Sequence, residues 1–325
     1  MTDSQKEVEK PIIKLLLSKP RGFCAGVERA IDTVEKAIEI WGAPIYVKHE
    51  IVHNRHVVQR LKNMGAIFIE DVEDVPVGAR LIYSAHGVSP AVREQAKARN
   101  LIEIDATCGL VTRVHSAVKR YAAMGCQIIL IGHRNHVEVI GTAGEAPDVT
   151  TIVESLSDVE SLEFSQEERL FYITQTTLSL DDVKDITSAL IAKYPRIETL
   201  PSSSICYATT NRQMALREIT DVTDLVLVVG DPQSSNSNRL REVASTRGVD
   251  SYLINDENEI LPEWLVNKKI IGLTAGASTP EEIVQRCIKK LIEFGVNVVK
   301  DVVHTNEDVV FQLPKPIVNA RLNIV

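Results

Sequence analysis

The sequence predicts an α/β protein built from repeated parallel β/α units, and three observations carry that reading. Apolar runs of four to seven residues alternate with amphipathic stretches of ten or more, the pattern of buried parallel strands and the helices that cover them. The junctions between them are turns rich in Gly, Ser and His. Three cysteines, Cys24, Cys108 and Cys206, recur in one local context at separations of 84 and 98 residues, about one small unit each.

Taken in order, "IIKLLLSKP" leads into "GVERAIDTVEKAIEIWG", "LIYSAHG" into "SPAVREQAKARN", and "IEIDATCG" into "LVTRVHSAVKRYAAMG". "QIILIGH" precedes "NHVEVIGTAG", and "RLFYITQTT" precedes "SLDDVKDITSALIAKY". "DLVLVVG" and "KIIGLTAGAS" open the last two units, before "SNSNRLREVASTRG" and "TPEEIVQRCIKKLIEFG". Gly42, Gly125 and Gly248 stand where helices need a C-terminal cap. Ser278 and Thr279, followed by Pro280, Glu281 and Glu282, read as a helix start. The closing stretch "VVFQLPKPIVNARLNIV" reads as a strand and an extended tail packing back on the body.

A chain of 325 residues is too long for one small core and suits two or three α/β units. With 44% hydrophobic and 25% charged residues it has an ordinary globular composition. A net charge of −8 argues against a general nucleic-acid or anionic-membrane surface, while leaving room for a local anion pocket. The opening "MTDSQKEVEKP" is polar and acidic, and no apolar run approaches a membrane span, so the expected location is the cytoplasm. Five cysteines without an export signal argue against a disulfide framework and leave thiols for metal or redox chemistry. The G-x-G-x-x-G, P-loop and H-E-x-x-H motifs are all absent.

Each of Cys24, Cys108 and Cys206 follows an extended segment and opens an amphipathic helix: "RGFCAGVERAI", "DATCGLVTRVH", "SICYATTNRQMALREI". Backbone N–H groups at a helix start favour a thiolate, the form that ligates metal. Three units around a common axis could bring one sulfur apiece to a central point. Structural zinc usually draws two ligands from one C-x-x-C knuckle, whereas three distant thiolates suit a [4Fe–4S] cluster with one iron left open. The competing reading is that small cysteines at helix starts simply pack. Cys126 and Cys287 lack this context and read as core residues.

His53, His86 and His136 fall in strand-to-helix turns, and ligands of open parallel sheets bind outside the carboxyl ends of strands. Solvation of loop histidines is the plainer alternative. "GDPQSSNSNRL" and "TAGASTPEE" place Ser234, Ser235, Asn236 and Ser278 at helix starts, where hydroxyl, amide and N–H donors can cradle a phosphate or diphosphate. Ordinary N-capping explains either serine as well. Glu138, two residues after His136, can deliver protons, or it can pair with Arg134 at the surface. Thr176 and Thr177 add hydroxyls at another strand end, or cap the next helix.

Together "PRGFCAGVERAI", "HEIVHN", "SAHGVS", "DATC", "VHSAV", "TQTTLS", "CYATTNRQ", "SSNSNRL" and "TAGAS" closely resemble the 4-hydroxy-3-methylbut-2-enyl diphosphate reductase family, from about residue 14 to 314. That resemblance implies three pseudo-threefold-related α/β lobes with small parallel sheets around a central iron–sulfur cluster. The lobes would be residues 26–108, residues 109–205, and residues 1–25 with 206–295, with 296–325 as a C-terminal strand and tail. It implies Cys24, Cys108 and Cys206 as ligands of one [4Fe–4S] cluster with an open fourth iron. His53, His86, His136, Ser234, Ser235, Asn236 and Ser278 would surround a diphosphate substrate. Thr176 would bond the substrate hydroxyl and Glu138 would donate its proton. The implied reaction is reductive dehydroxylation to isopentenyl and dimethylallyl diphosphate, the last step of the methylerythritol phosphate route, with electrons from a ferredoxin- or flavodoxin-like donor. A non-catalytic diphosphate-binding or iron/oxygen-sensing relative, and a hydro-lyase, are the competing expectations. Two positions depart from the family pattern: Gly109 and Val137 stand where proline is usual, predicting a looser turn at Gly109 and a differently aimed turn at Glu138.

Overall fold

The computed structural model describes residues 13–322. The polar opening stretch 1–12 and the last three residues therefore lie outside the described residues. In chain order, β1 (Lys14–Lys19) leads to α1 (Ala25–Trp41), β2 (Ile45–Lys48), α2 (Arg55–Met64), β3 (Ala66–Ile69), β4 (Arg80–Tyr83), α3 (Pro90–Ala98) and β5 (Ile102–Asp105). Next come α4 (Gly109–Ala123), β6 (Gln127–Ile131), α5 (Val137–Ala143), β7 (Thr150–Val153), α6 (Leu156–Glu160), β8 (Leu170–Thr174) and α7 (Leu180–Lys193). The chain continues through α8 (Tyr207–Thr220), β9 (Leu225–Val229), α9 (Ser235–Ser245), β10 (Asp250–Ile254), β11 (Ile270–Ala275), α10 (Glu281–Glu293), β12 (Val298–Val303) and α11 (Lys315–Leu322).

The strands form three separate sheets, one per lobe, with orders β3-β2-β4-β5, β7-β6-β8 and β10-β9-β11-β1-β12. Strand pairing is parallel in each sheet. The N-terminal strand β1 thus crosses to the third lobe, where it lies between β11 and β12. Parallel sheets need cover on both faces, and the period of two along each central strand delivers it. Leu225, Leu227 and Val229 of β9 enter one core while Val226 and Val228 enter another. Ile128 and Leu130 of β6 divide from Ile129 and Ile131 in the same way. In β4, Ile82 faces one core and Leu81 and Tyr83 the other. Six apolar clusters, two per lobe, leave the carboxyl ends of all three sheets free to meet. Among the described residues no helix is long and apolar enough to cross a membrane.

The seven strands read from apolar runs are all present, but β2, β3, β7, β10 and β12 had no comparable signal. Four of these are edge strands, and β12 is exposed along nearly its whole length, so its residues carry little hydrophobic pattern. Among the described residues, 309–322 do not contain the expected strand. The strand is β12, upstream of them; the chain then runs without regular structure to Pro314, and Lys315–Leu322 forms α11. Ile317 explains the helix, because it is fully buried in the first-lobe core beside α1 and is the buried residue of α11. Replacing it by alanine should remove about 2–4 kcal/mol of docking energy from this segment. Limited proteolysis should then release the tail faster while the lobes melt almost unchanged; tail cleavage at the wild-type rate would contradict this role for Ile317.

Candidate active site between the lobes

Six helices begin beside the point where the sheets meet, and the residue before each helix is informative. Cys24, Cys108 and Cys206 are the N-caps of α1, α4 and α8; Asn54, His136 and Ser234 cap α2, α5 and α9. The three cysteines share a backbone anchor. The N–H of Cys24 donates to the Ala277 carbonyl at 3.3 Å, that of Cys108 to Ala85 at 3.0 Å, and that of Cys206 to Thr176 at 3.0 Å. In each case the acceptor lies just past a neighbouring strand, β11, β4 or β8, so each lobe repeats the same device. One cavity is lined by all three cysteines and by His53, His86, His136, Glu138, Thr176, Ser234, Ser235, Asn236 and Ser278. Every predicted site residue therefore reaches the same space. Cys126 and Cys287 are buried in the second- and third-lobe cores, away from it.

Gly26, which sequence reasoning passed over, makes the sulfur cluster possible. A Cβ at this position would stand 2.6 Å from Cys108 Sγ and 3.9 Å from Cys24 Sγ. A side chain here would force the Cys108 sulfur away from the start of α1. The expectation of thiolates favoured by helix starts needs correction. Backbone N–H groups of Leu110 and Val111 do lower Cys108, but withdrawal from water outweighs them and pushes it up to about 11. Cys206 is driven by the same cause to about 12, although the Thr209 N–H donates to its sulfur at 3.3 Å. The neighbouring Cys24 sulfur raises both, and Cys108 also raises Cys206. Such thiols hold their protons unless a cationic centre compensates them. No group of three or more His, Cys, Asp or Glu among the described residues is arranged around a single metal ion. The donor set, three thiols on three loops with N–H groups at the sulfurs of Cys108 and Cys206, suits a group larger than one ion.

The histidines are packed against each other rather than solvated. His53 and His86 stack with centroids 4.3 Å apart, and His136 meets them edge-on at 5.5 and 5.8 Å. Desolvation first, then mutual repulsion, holds His86 well below its ordinary value and His136 at about 3. Both rings are therefore neutral at physiological pH. The His136 Nδ1 accepts the Glu138 N–H at 3.1 Å, which leaves the ring proton on Nε2.

Glu138 is buried and does not pair with Arg134, which instead binds Glu154 and Asp158. Its Oε1 accepts the Thr176 N–H at 2.7 Å and its Oε2 the Thr176 hydroxyl at 3.0 Å. Burial still raises its pKa against those two bonds. Val137 at the first position of α5 thus leaves Glu138 aimed at Thr176. Beside Cys108, Gly109 leaves space that Phe311 of the C-terminal segment fills: a Cβ there would meet that ring at 3.3 Å.

The hydroxyls divide between capping and cavity. Ser234 is indeed the N-cap of α9, accepting from the Ser237 N–H. Ser278 is not a cap, since Pro280 precedes α10; its hydroxyl donates to the His53 carbonyl at 2.9 Å. Thr177 donates to Ser235 at 3.0 Å, linking the second lobe to the third. Both polar atoms of the Asn236 side chain are buried at the cavity with no hydrogen-bond partner, an arrangement that ordinarily implies a ligand.

The LytB protein family model matches residues 15–292. The chain belongs to the LytB protein family. It is 83% identical over 312 residues to a 4-hydroxy-3-methylbut-2-enyl diphosphate reductase of Protochlamydia amoebophila, covering 96% of this chain and all of that one. A protein of the same name from Chlamydia trachomatis serovar D is 62% identical, with 93% and 99% covered. The solved E-1-hydroxy-2-methyl-but-2-enyl-4-diphosphate reductase of Plasmodium falciparum superimposes with a TM-score of 0.94 at 48% identity, over 97% of this chain and 99% of that one. A second solved reductase gives 0.62 at 30% identity, over 87% and 100%.

Gly26→Ala tests the sulfur arrangement. The added methyl should cut iron bound per chain after anaerobic reconstitution to a small fraction of wild type without unfolding α1, since alanine favours helices. Full iron content in the variant would contradict it.

Proposed function

We propose that this chain reduces 4-hydroxy-3-methylbut-2-enyl diphosphate to isopentenyl and dimethylallyl diphosphate, closing the methylerythritol phosphate route. The observation that carries the reading is the convergence of three cysteines, three histidines and the Glu138–Thr176 pair on one cavity. Cys24, Cys108 and Cys206 would hold a [4Fe–4S] cluster, leaving the fourth iron without a protein ligand. When bound, that cluster would supply electrons singly and a Lewis-acidic iron for the substrate hydroxyl. The electrons would come from a small ferredoxin- or flavodoxin-like protein.

The chain's own residues account for the rest. The diphosphate is held by neutral donors: the Nε2–H of His136, the hydroxyls of Ser234, Ser235 and Ser278, the Asn236 amide, and the start of α9. Neutral donors suit a water-poor cavity, where unpaired charges are costly. Glu138, whose affinity for a proton is raised by burial, passes a proton through the Thr176 hydroxyl to the departing oxygen, which leaves as water. The balance per turnover is two electrons and two protons taken up, one C–O bond broken, one C–H bond formed and one water released. Exclusion of bulk water keeps the reduced carbon skeleton from uncontrolled protonation.

Substrate consumption with and without reduced viologen, under anaerobic conditions, tests the reading. Loss only with reductant is expected. Loss without it would indicate a hydro-lyase, and no loss either way a binding protein. Glu138→Gln should lower turnover by about 10²-fold or more with iron content unchanged; turnover near wild type would remove Glu138 from the proton route.

A further inference from the structure

Each helix that follows a cavity cysteine carries an arginine about one and a half turns on, and each arginine reaches backward to the loop of a different cysteine. On α1, Arg29 donates to the carbonyls of Thr107 at 3.0 Å and Asp105 at 3.2 Å, the residues leading into Cys108. On α4, Arg113 donates to the Ser203 carbonyl at 2.5 Å and the Ser202 hydroxyl at 3.1 Å, on the approach to Cys206. On α8, Arg212 donates to the Gly22 carbonyl at 2.8 and 3.1 Å and to the Phe23 carbonyl at 3.2 Å, immediately before Cys24. The cycle closes: first helix to second loop, second to third, third to first.

The C-terminal segment ties into two members of the cycle. Glu307 accepts from Arg212 through both carboxylate oxygens, at 3.0 and 3.2 Å, and from the Asn211 amide at 3.0 Å. The Gln312 carbonyl accepts from Arg29 at 2.6 Å. Arg212 is fully buried, Arg29 half-buried and Arg113 exposed, so the three grips differ in how far water competes with them.

Building on the proposed cluster, we propose that Arg29, Arg113 and Arg212 are positioning residues that form a closed ring. Each fixes the loop delivering the next cysteine, so that retention of the cluster depends on all three lobes at once. The forked guanidinium is the part that matters, because it spans two acceptors on one loop, which a lysine ammonium on a flexible stem cannot do with the same geometry. None of the three touches the reacting atoms, and their effect passes through the carbonyls they hold.

The test uses the full chain, reconstituted anaerobically, with Arg29→Lys, Arg113→Lys and Arg212→Lys. Bleaching of the visible absorption by an iron chelator gives the rate of cluster loss, and the electron paramagnetic resonance spectrum of the reduced protein reports ligand geometry. Cluster loss should accelerate by about 10- to 100-fold for Arg212, less for Arg29 and least for Arg113, with altered spectra in the same order. Arg169→Lys, which perturbs bonds to the Met124 carbonyl and Glu198 away from the cysteines, should match wild type. Should Arg212→Lys fail to fold, Arg29→Lys decides. Wild-type bleaching rates and spectra in the Arg29 and Arg113 variants, or equal acceleration in Arg169→Lys, would overturn the ring alone. Wild-type protein that takes up no iron would overturn both the ring and the proposed function.

Discussion

Withdrawal of polar groups from water at the meeting point of three sheets governs this molecule. It pushes two cavity thiols to about 11 and 12, holds His136 at about 3, keeps His86 well below its usual range and raises Glu138. Thiol, imidazole and carboxyl groups all shift toward their uncharged forms. Such a cavity stabilises charge through oriented dipoles and hydrogen-bond donors rather than counter-charges, and six helix starts around it supply them. The same dryness leaves the Asn236 amide unsatisfied and the thiols protonated, two deficits that a diphosphate and an iron–sulfur cluster would each relieve.

The three-lobed architecture follows from that demand. No lobe owns the cavity: Cys24 is anchored on the Ala277 carbonyl, Cys108 on Ala85 and Cys206 on Thr176. Glu138 and Thr176 come from the second lobe, Ser234 to Asn236 from the third, and His53 and His86 from the first. A shift of one lobe would move sulfur, histidine and hydroxyl donors relative to the others. Contacts that cross lobes, such as Thr177 with Ser235 and Ser278 with His53, therefore bear on chemistry as well as on stability.

Much of this was readable from residue types. Cysteine, histidine and serine in strand-to-helix turns carry chemistry wherever the fold places them, and every central strand but β2 announces itself as an apolar run. Gly26 was silent because its role depends on a sulfur 82 positions away. The arginines were equally silent, since each reads locally as a charge on a helix and its partners lie 76 to 190 positions away. Edge strands and α11 escaped because exposed or singly anchored segments need little hydrophobic pattern. The helix-start N–H groups lower the Cys108 and Cys206 thiols as their local context implies, but the burial that outweighs them is set by packing of distant segments and has no local signal.

We propose that the sulfurs of Cys24, Cys108 and Cys206 hold one iron–sulfur group while the other two cysteines only pack. Iron and sulfide per chain, measured after anaerobic reconstitution of the five single Cys→Ser variants, test it most directly. Loss of most iron is predicted at Cys24, Cys108 and Cys206, with wild-type content at Cys126 and Cys287. Retention of full iron at any of the first three, or its loss at Cys126 or Cys287 in a protein that still folds, would contradict it.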